Sequence, residues 1–367
     1  MMITEDKIYL KGFRSWAEIS KERLLNNVEI IYRYTKKDIL AVVKADAYGH
    51  SAEKISKILE EIPYIKYLCV ATAEEGKELR KAGIKKDILV LGGILPDEVK
   101  CFKEYNLVPV VSDFNQLKTV KENHIKKVHI KIDTGMHRLG FFVEDILEII
   151  NKSNGIEIEG IMSHFPSADT DPELTERQID IFRKVVNNFR SHRIYPAFVH
   201  LQNSAGLMYD CDYCNAVRVG ISIYGEKPSS FFSLPVKTVM SVKSKVITVK
   251  RLRKGETVSY GGTFRAPADM KIGIVAFGYA DGLPRELSNK GYFLIKDRKV
   301  KILGNVTMDM TVVDLTDVED VKPMDTVTIV GKDIENEIYF EDIAQMCGTI
   351  PYEIMCRISK RVKRVVV

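Results

Sequence analysis

Ala41-Val42-Val43-Lys44-Ala45-Asp46-Ala47-Tyr48-Gly49-His50 reads AVVKADAYGH and follows Asp38-Ile39-Leu40. The apolar run Ile39–Val43 has the length and composition of a buried strand. It ends on an ammonium group, with a tyrosine and a histidine close behind and small residues between them. A lysine at a strand end usually snorkels into solvent. The crowding of Tyr48, His50 and three small residues around Lys44 points instead to a pocket. A lysine desolvated there loses its proton more easily and becomes a nucleophile toward aldehydes.

The same kind of apolar run recurs at Tyr67–Ala71, Ile88–Leu91, Val108–Val111, Val128–Ile132, Ile156–Met162, Phe198–Leu201 and Val217–Ile221. Amphipathic stretches separate most of them. Ser51–Ile62 reads as a helix capped by Ser51, and Leu174–Phe189 carries apolar residues at helical spacing. Alternating strand and helix units between Ser15 and about Ser233 predict a parallel sheet. Eight units in this length fit a closed (β/α)8 barrel better than an open sheet. On such a barrel the C-terminal strand ends, where Lys44 lies, carry the chemistry.

Beyond about Leu234 the pattern changes. Val236–Val249 is rich in Val, Thr and Ser, and strand-like runs follow at Lys271–Phe277, Lys299–Ile302, Thr311–Asp314 and Thr326–Val330. Helical spacing returns briefly near Phe340–Met346. The reading is an α/β chain: a barrel over residues 11–236, then a mostly β domain over residues 237–367. Lys7–Leu10 is a further strand, and residues 1–10 are expected to join the second domain.

The chain has 367 residues, 45% hydrophobic and 29% charged, with a formal charge of +5. That supports a large core and argues against disorder. The charge is too small, and the aromatics too far from the basic run Arg357–Arg364, for a nucleic-acid binder. That basic tail reads as a solvated end. Six cysteines form no disulfide framework. Cys211 and Cys214 make a CxxC, but no second close pair completes a zinc ribbon. The N-terminus lacks an apolar signal segment, and no run reaches the roughly 18 apolar residues of a membrane span. A cytoplasmic protein is expected, without metal, membrane or nucleic-acid partner.

VVKADAYGHS resembles the signature of the alanine racemase family, whose lysine holds pyridoxal phosphate. Other segments resemble that family in the same order: SWAEI at Ser15–Ile19, KIDTGMHRLG at Lys131–Gly140, SHF at Ser163–Phe165 and Asn203-Ser204. They continue with RVGISIYG at Arg218–Gly225, SYGGTF at Ser259–Phe264, GYADG at Gly278–Gly282 and Met308-Asp309. The resemblance spans nearly the whole chain. It implies a pyridoxal phosphate barrel followed by a β-domain, a head-to-tail homodimer, and interconversion of L- and D-alanine, commonly to supply peptidoglycan.

Racemisation removes a proton from one face of Cα and delivers one to the other, which two acid–base groups accomplish directly. The resemblance assigns these to Lys44 and to Tyr260, the latter reaching the site from the partner subunit. A simple phenol is a poor base at neutral pH and needs positive charge nearby. The resemblance places Arg218 at the pyridine nitrogen, where a permanently charged guanidinium donates without releasing its proton, and His164 between Arg218 and Tyr260. It gives the phosphate to Tyr48, Ser204, Gly220 and Ile221, with small residues and backbone N–H groups as donors. Arg138 would hold the cofactor phenolic oxygen and the substrate carboxylate. Lys131 is a candidate for carbamylation, which would turn a cation into an anion orienting Arg138. Met308 and Asp309 would bind substrate, and Asp169, Tyr279 and Arg285 would line the entrance.

Two positions depart from the family pattern. Val219 stands where many relatives have proline, and valine adopts the same φ. Lys360 stands where relatives often have tyrosine near the phosphate and the catalytic tyrosine. A lysine there still binds phosphate as a point charge but alters the substrate pocket, so a serine or broad-specificity racemase remains open beside an alanine racemase. A pyridoxal phosphate decarboxylase shares the two-domain plan, but SYGGTF and the Arg218 segment argue against it. A non-catalytic cofactor carrier would leave the second domain unexplained.

Overall fold

The computed structural model describes residues 12–367, so the strand expected at Lys7–Leu10 and the pairing of residues 1–10 lie outside the described residues. The chain divides into two compact units. One takes in the described residues through Leu24, Tyr48–His50 and Lys237–Val367; the other takes in Leu25–Ala47 and Ser51–Val236. Strand β1, Ser15–Ile19, belongs to the first unit although it lies inside the span 11–236 read as barrel.

The second unit is the expected closed barrel. Its strands are β2 (Asp38–Val42), β3 (Ile65–Val70), β4 (Asp87–Val90), β5 (Val108–Val111), β6 (Lys127–Lys131), β7 (Glu157–Met162), β8 (Phe198–His200) and β9 (Ala216–Val219). They pair in parallel in chain order, and β9 closes on β2 with Val217 opposite Ile39 and Val219 opposite Ala41. Both faces of each strand are covered, which is why the runs are nearly continuously apolar rather than alternating. All of β5 is buried.

The helices begin where side chains satisfy their first N–H groups. Thr72 caps Ala73–Lys81, Asp113 caps Phe114–Glu122, and Asp171 caps Pro172–Ser191. The last helix turns Ile179, Phe182, Val185, Val186 and Phe189 inward, the i, i+3, i+4 spacing that puts side chains on one face. Phe182 is fully buried, worth about 2–3 kcal/mol relative to an exposed ring. Ser51 differs from expectation. The helix runs Ala52–Leu59, Ser51 has φ +76° and its hydroxyl makes no capping bond. Asp46 Oδ1 takes the Ala52 N–H at 2.7 Å instead. A carboxylate from the preceding turn is the stronger acceptor.

The first unit is mostly β, as expected. A nine-stranded sheet runs in the order Glu337–Ile338, Thr326–Lys332, Tyr292–Ile295, Arg298–Leu303, Thr311–Asp314, Met270–Val275, β10 (Met240–Leu252), β1 and Lys363–Val366. β10 alternates buried Met240, Val242, Ser244 and Val246 with half-buried partners, the pattern of a sheet with one covered face. β1 lies between β10 and Lys363–Val366, with Ala17 opposite both Val242 and Arg364. The basic tail is therefore not simply a solvated end. Arg364 is buried and donates to the carbonyls of Gly49, Ile358, Ser359 and Val362. A second short helix, Pro351–Arg357, follows Phe340–Cys347. Its seven residues are too few for a clear periodic signal, although Pro351 stands at its first turn, where a missing N–H costs nothing.

Candidate active site

The sequence-predicted residues of the barrel unit gather at the C-terminal ends of its strands. Lys44 follows β2, Lys131 ends β6, His164 follows β7, Ser204 follows β8, and Arg218 lies in β9.

The chain after Lys44 takes a rare conformation. Ala45, Asp46, Ala47 and Tyr48 all have φ between +53° and +55°, a left-handed turn made without a glycine. Such backbone costs roughly 1–2 kcal/mol per residue and persists only when surroundings hold it. Glu75 is one such hold: one carboxylate oxygen accepts the Ala45 N–H at 2.8 Å and the other the Ala71 N–H at 2.6 Å. Asp46 is another, its carbonyl accepting from Ser51 N–H at 3.0 Å. No motif in the sequence singles out Glu75. In the sheet unit, Gly49 has φ +79°, and a Cβ there would lie 2.3 Å from the Met355 carbonyl oxygen, so only glycine fits.

Arg218 is 3% exposed, and both of its terminal nitrogens are committed. Nη1 donates to His200 Nδ1 at 2.8 Å and to the His200 carbonyl at 3.0 Å. Nη2 donates to the Ser163 carbonyl at 2.7 Å and to His164 Nδ1 at 2.8 Å. Burial lowers its pKa to about 10, so it stays charged at neutral pH. Burial and the charges of Arg218, Lys131, Arg138 and Lys44 hold His164 well below the usual imidazole range. Its Nδ1 faces a donor, so the neutral ring carries its proton on Nε2. Burial, then Arg218, Arg138 and Lys44, pull Lys131 down to about 8, against which Asp133 acts weakly. The site is thus a field of cations, an environment that attracts anions.

A cradle of small polar groups centred on Ser204 belongs to the same unit. Ser204 Oγ accepts from Gly220 N–H at 3.2 Å, Ser222 N–H at 3.4 Å and Ser222 O–H at 2.9 Å. The donors meet on the Ser204 hydroxyl oxygen, and backbone N–H groups and hydroxyls of this kind are the donors that anions use. Ser222 was not among the expected residues, although it lies inside RVGISIYG. Ile221, buried, sits between these donors. Tyr224 O–H ties the segment to the Val42 carbonyl at 2.9 Å, next to Lys44. Arg138 is exposed in a loop that Asp133 organises by accepting from the N–H groups of Gly135, Met136 and His137. Asp169 is exposed, in the turn before Pro172–Ser191.

Tyr48, Tyr260, Tyr279, Arg285, Met308, Asp309 and Lys360 belong to the sheet unit. Tyr48 is buried, its ring 5.9 Å from that of Tyr352. Tyr260 is 77% exposed on a tight turn, with Tyr279 and Met308 also exposed. Their loops interlock. Asn305 Nδ2 donates to the Tyr260 carbonyl and Ser259 Oγ to the Asn305 carbonyl, each at 2.7 Å. Tyr279 N–H and Ala280 N–H donate to the carbonyls of Thr307 and Met308 at 3.0 Å. A Cβ at Gly278 would lie 2.3 Å from the Thr307 oxygen, so GYADG approaches Met308-Asp309 only through glycine. Arg361 Nη2 pairs with Asp309 at 2.9 Å, and its Nε lies 3.4 Å from Asp281. Arg285 and Lys360 are exposed. Ser259 lies inside SYGGTF, whereas Asn305 and Arg361, which also hold these loops, lie in no motif singled out from the sequence.

A lysine, a buried arginine and a cluster of serine hydroxyls and backbone N–H groups at the C-terminal strand ends of a closed parallel barrel make up a polar, cation-rich site. Residues 19–228 match the family described as alanine racemase, N-terminal domain, and residues 239–366 match alanine racemase, C-terminal domain. The chain is 45% identical over 354 residues to alanine racemase of Aquifex pyrophilus, covering 96% of this chain and 98% of that protein. Among solved structures, alanine racemase of Clostridium difficile 630 superposes with a TM-score of 0.92 at 34% identity, covering 97% of this chain and 96% of that one. Alanine racemase of Bartonella henselae, described with covalently bound pyridoxal phosphate, gives a TM-score of 0.86 at 27% identity, covering 96% and 99%. The chain belongs to the alanine racemase family, a family of isomerases.

Proposed function

We propose that this protein is a pyridoxal phosphate enzyme that interconverts L- and D-alanine, working as a homodimer with shared active sites. The observation that carries the reading is the convergence of Lys44, Arg218 and the Ser204 cradle at one end of the barrel. The residues fit the cofactor. The Ser204, Gly220 and Ser222 donors suit a phosphate, and the surrounding cations suit its charge and a phenolate. Arg218, held by carbonyls and two imidazoles, is fixed as a donor for a ring nitrogen. Ile221, Tyr48 and Lys360 are assigned to the phosphate with them, and Arg138 to the phenolic oxygen. The proposed division is a catalytic barrel and a mostly β-domain, the latter taking in β1 as well as residues 237–367.

When bound, pyridoxal phosphate stabilises the negative charge left on Cα once its proton is removed. Lys44 holds and returns that proton on one face. The partner subunit's Tyr260 does so on the other, supported by His164 next to Arg218. Arg218 donates to the ring nitrogen but keeps its own proton, so charge is withdrawn only in part and side reactions are limited. Arg138, Met308 and Asp309 hold the substrate carboxylate, with Arg361 orienting Asp309. A carbamylated Lys131 would orient Arg138. Asp169, Tyr279 and Arg285 line the approach. The exposed Tyr260, Tyr279 and Met308, carried on interlocked loops, suit a surface completed by a second copy. The product would feed peptidoglycan synthesis in the cytoplasm. Among the described residues no helix is long and apolar enough to cross a membrane.

Chiral chromatography after incubation of the protein and pyridoxal phosphate with L-alanine, and separately L-serine, tests this. Fast D-alanine with little D-serine is expected. Absence of D-alanine rejects the proposal, and D-serine at a comparable rate moves the assignment to a broad-specificity racemase.

A further inference from the structure

A chain of buried polar groups runs from Arg218 into the barrel interior. Arg218 Nη1 lies 2.8 Å from His200 Nδ1, and His200 Nε2 lies 2.8 Å from His129 Nδ1. Among the described residues His129 Nε2 has no hydrogen-bond partner within bonding distance, and Glu159 Oε2 lies 3.8 Å away. Glu159 accepts from the Tyr67 hydroxyl and, at 3.0 Å, from Lys127 Nζ. Both imidazoles are fully buried.

The direction of every proton in this chain is set at its two ends, and at one end the ionised Glu159 carboxylate only accepts. A guanidinium only donates. His200 Nδ1 must therefore accept, which puts its proton on Nε2, facing His129 Nδ1. That nitrogen must accept in turn, which puts the His129 proton on Nε2, facing the carboxylate. Burial, with the charge of Arg218, keeps both rings neutral. The barrel also makes room for the arrangement. A Cβ at Gly160, beside Glu159, would lie 2.3 Å from His129 Nδ1, inside the ring's contact distance. Phe198 and Tyr67 box the same ring, with centroids 5.9 Å and 5.2 Å away.

We propose that Glu159 is a positioning residue for Arg218: its carboxylate fixes the tautomers of His129 and His200, so that Arg218 Nη1 always meets an acceptor. The tautomer chain stands on this geometry alone. Its effect on catalysis rests on the assignment of Arg218 to the cofactor ring nitrogen. An amide at position 159 has only one oxygen. Lys127, always a donor, takes that oxygen and leaves the NH2 facing His129. Both tautomers then invert, and His200 Nδ1–H opposes Arg218.

The test uses the full-length protein loaded with pyridoxal phosphate and carrying 15N-labelled histidine. The unsubstituted protein should show Nε2–H tautomers at His129 and His200. Glu159→Gln should invert both, shift the absorption band of the bound cofactor and lower kcat about tenfold, with KM within about twofold because substrate contacts are untouched. Tyr67→Phe disturbs the same packing but keeps the carboxylate, and should leave both tautomers and the band unchanged. An Nδ1–H tautomer at either histidine of the unsubstituted protein overturns the proposal. So does a folded Glu159→Gln protein with unchanged tautomers and band. Racemisation of alanine by the unsubstituted protein is measured alongside. Its failure would reject the racemase reading without touching the tautomer result.

Discussion

Glu75 accepts the Ala45 N–H at 2.8 Å, one residue past Lys44, while its second oxygen accepts the Ala71 N–H at the end of the neighbouring strand. One carboxylate thus ties the ends of β2 and β3 together and holds the first residue of a left-handed turn. Removing it leaves two N–H groups without their acceptor. Glu75→Ala should destabilise the protein by about 1–3 kcal/mol and lower racemase activity by misplacing Lys44. Ala45→Gly should behave unlike an ordinary helix substitution. Alanine to glycine in a right-handed helix costs about 0.5–1 kcal/mol, but here it relieves left-handed strain. Its denaturation midpoint should be unchanged or raised; a clear drop would mean the turn is not strained.

Tyr260 is mostly exposed, so its hydroxyl can be removed without a folding penalty. Tyr260→Phe should melt like the unsubstituted protein and lose about 10²–10⁴-fold in kcat. Lys44 remains, so solvent deuterium should still enter Cα of one enantiomer of alanine but no longer the other. Equal loss for both enantiomers would count against acid–base groups on opposite faces.

Lys131 is held at about 8 by burial and by Arg218, Arg138 and Lys44. A carbamate forms from the neutral amine, which bonds to carbon dioxide and sheds a proton. Protein equilibrated with 13C-bicarbonate should therefore develop a carbamate carbon signal that grows from pH 7 to pH 9 and is absent in Lys131→Met. No signal at pH 9 would remove the carbamylation proposal. The sign for stability is separate. The uncarbamylated amine's pKa in the fold lies below its unfolded value of 10.5, so the unfolded chain binds more protons between the two. Without bicarbonate, stability relative to Lys131→Met should rise with pH from about 8 to about 10.5.

Lys360 is exposed, at the position where the family resemblance leads one to expect tyrosine. A pocket wall of altered shape and charge discriminates an added hydroxyl weakly, so serine should compete with alanine better here than with tyrosine in place. Lys360→Tyr should lower the ratio of kcat/KM for serine over alanine severalfold. An unchanged ratio would make Lys360 neutral for specificity.

The barrel was legible because each of its strands is buried on both sides. Ile39–Val43 and Val108–Val111 could only be apolar runs, and the helices between them announced themselves by spacing. Lys44 and Arg218 stood out as charges embedded in such runs. The second unit was less legible. β1 reads like the opening of the barrel, yet its partners are β10 and Lys363–Val366 at the far end of the chain. The helix Pro351–Arg357 was too short to show a period, and the burial of Arg364 was hidden in a basic stretch, because a charge run looks the same whether or not carbonyls surround it.

Taken alone, the amino-acid sequence determined the number of strand–helix units, the change of pattern near residue 236, the family, and the residue types chemistry needs at each strand end. Those properties are written in local periodicity and short motifs. Tertiary structure alone decided that Glu75 grips the turn after Lys44, that Ser222 joins the Ser204 cradle, and that Glu159, His129 and His200 line up behind Arg218. His129 and His200 are 71 residues apart. Only barrel closure brings them within a hydrogen bond, and a hydrogen bond is directional over about 3 Å, a distance on which sequence spacing says nothing.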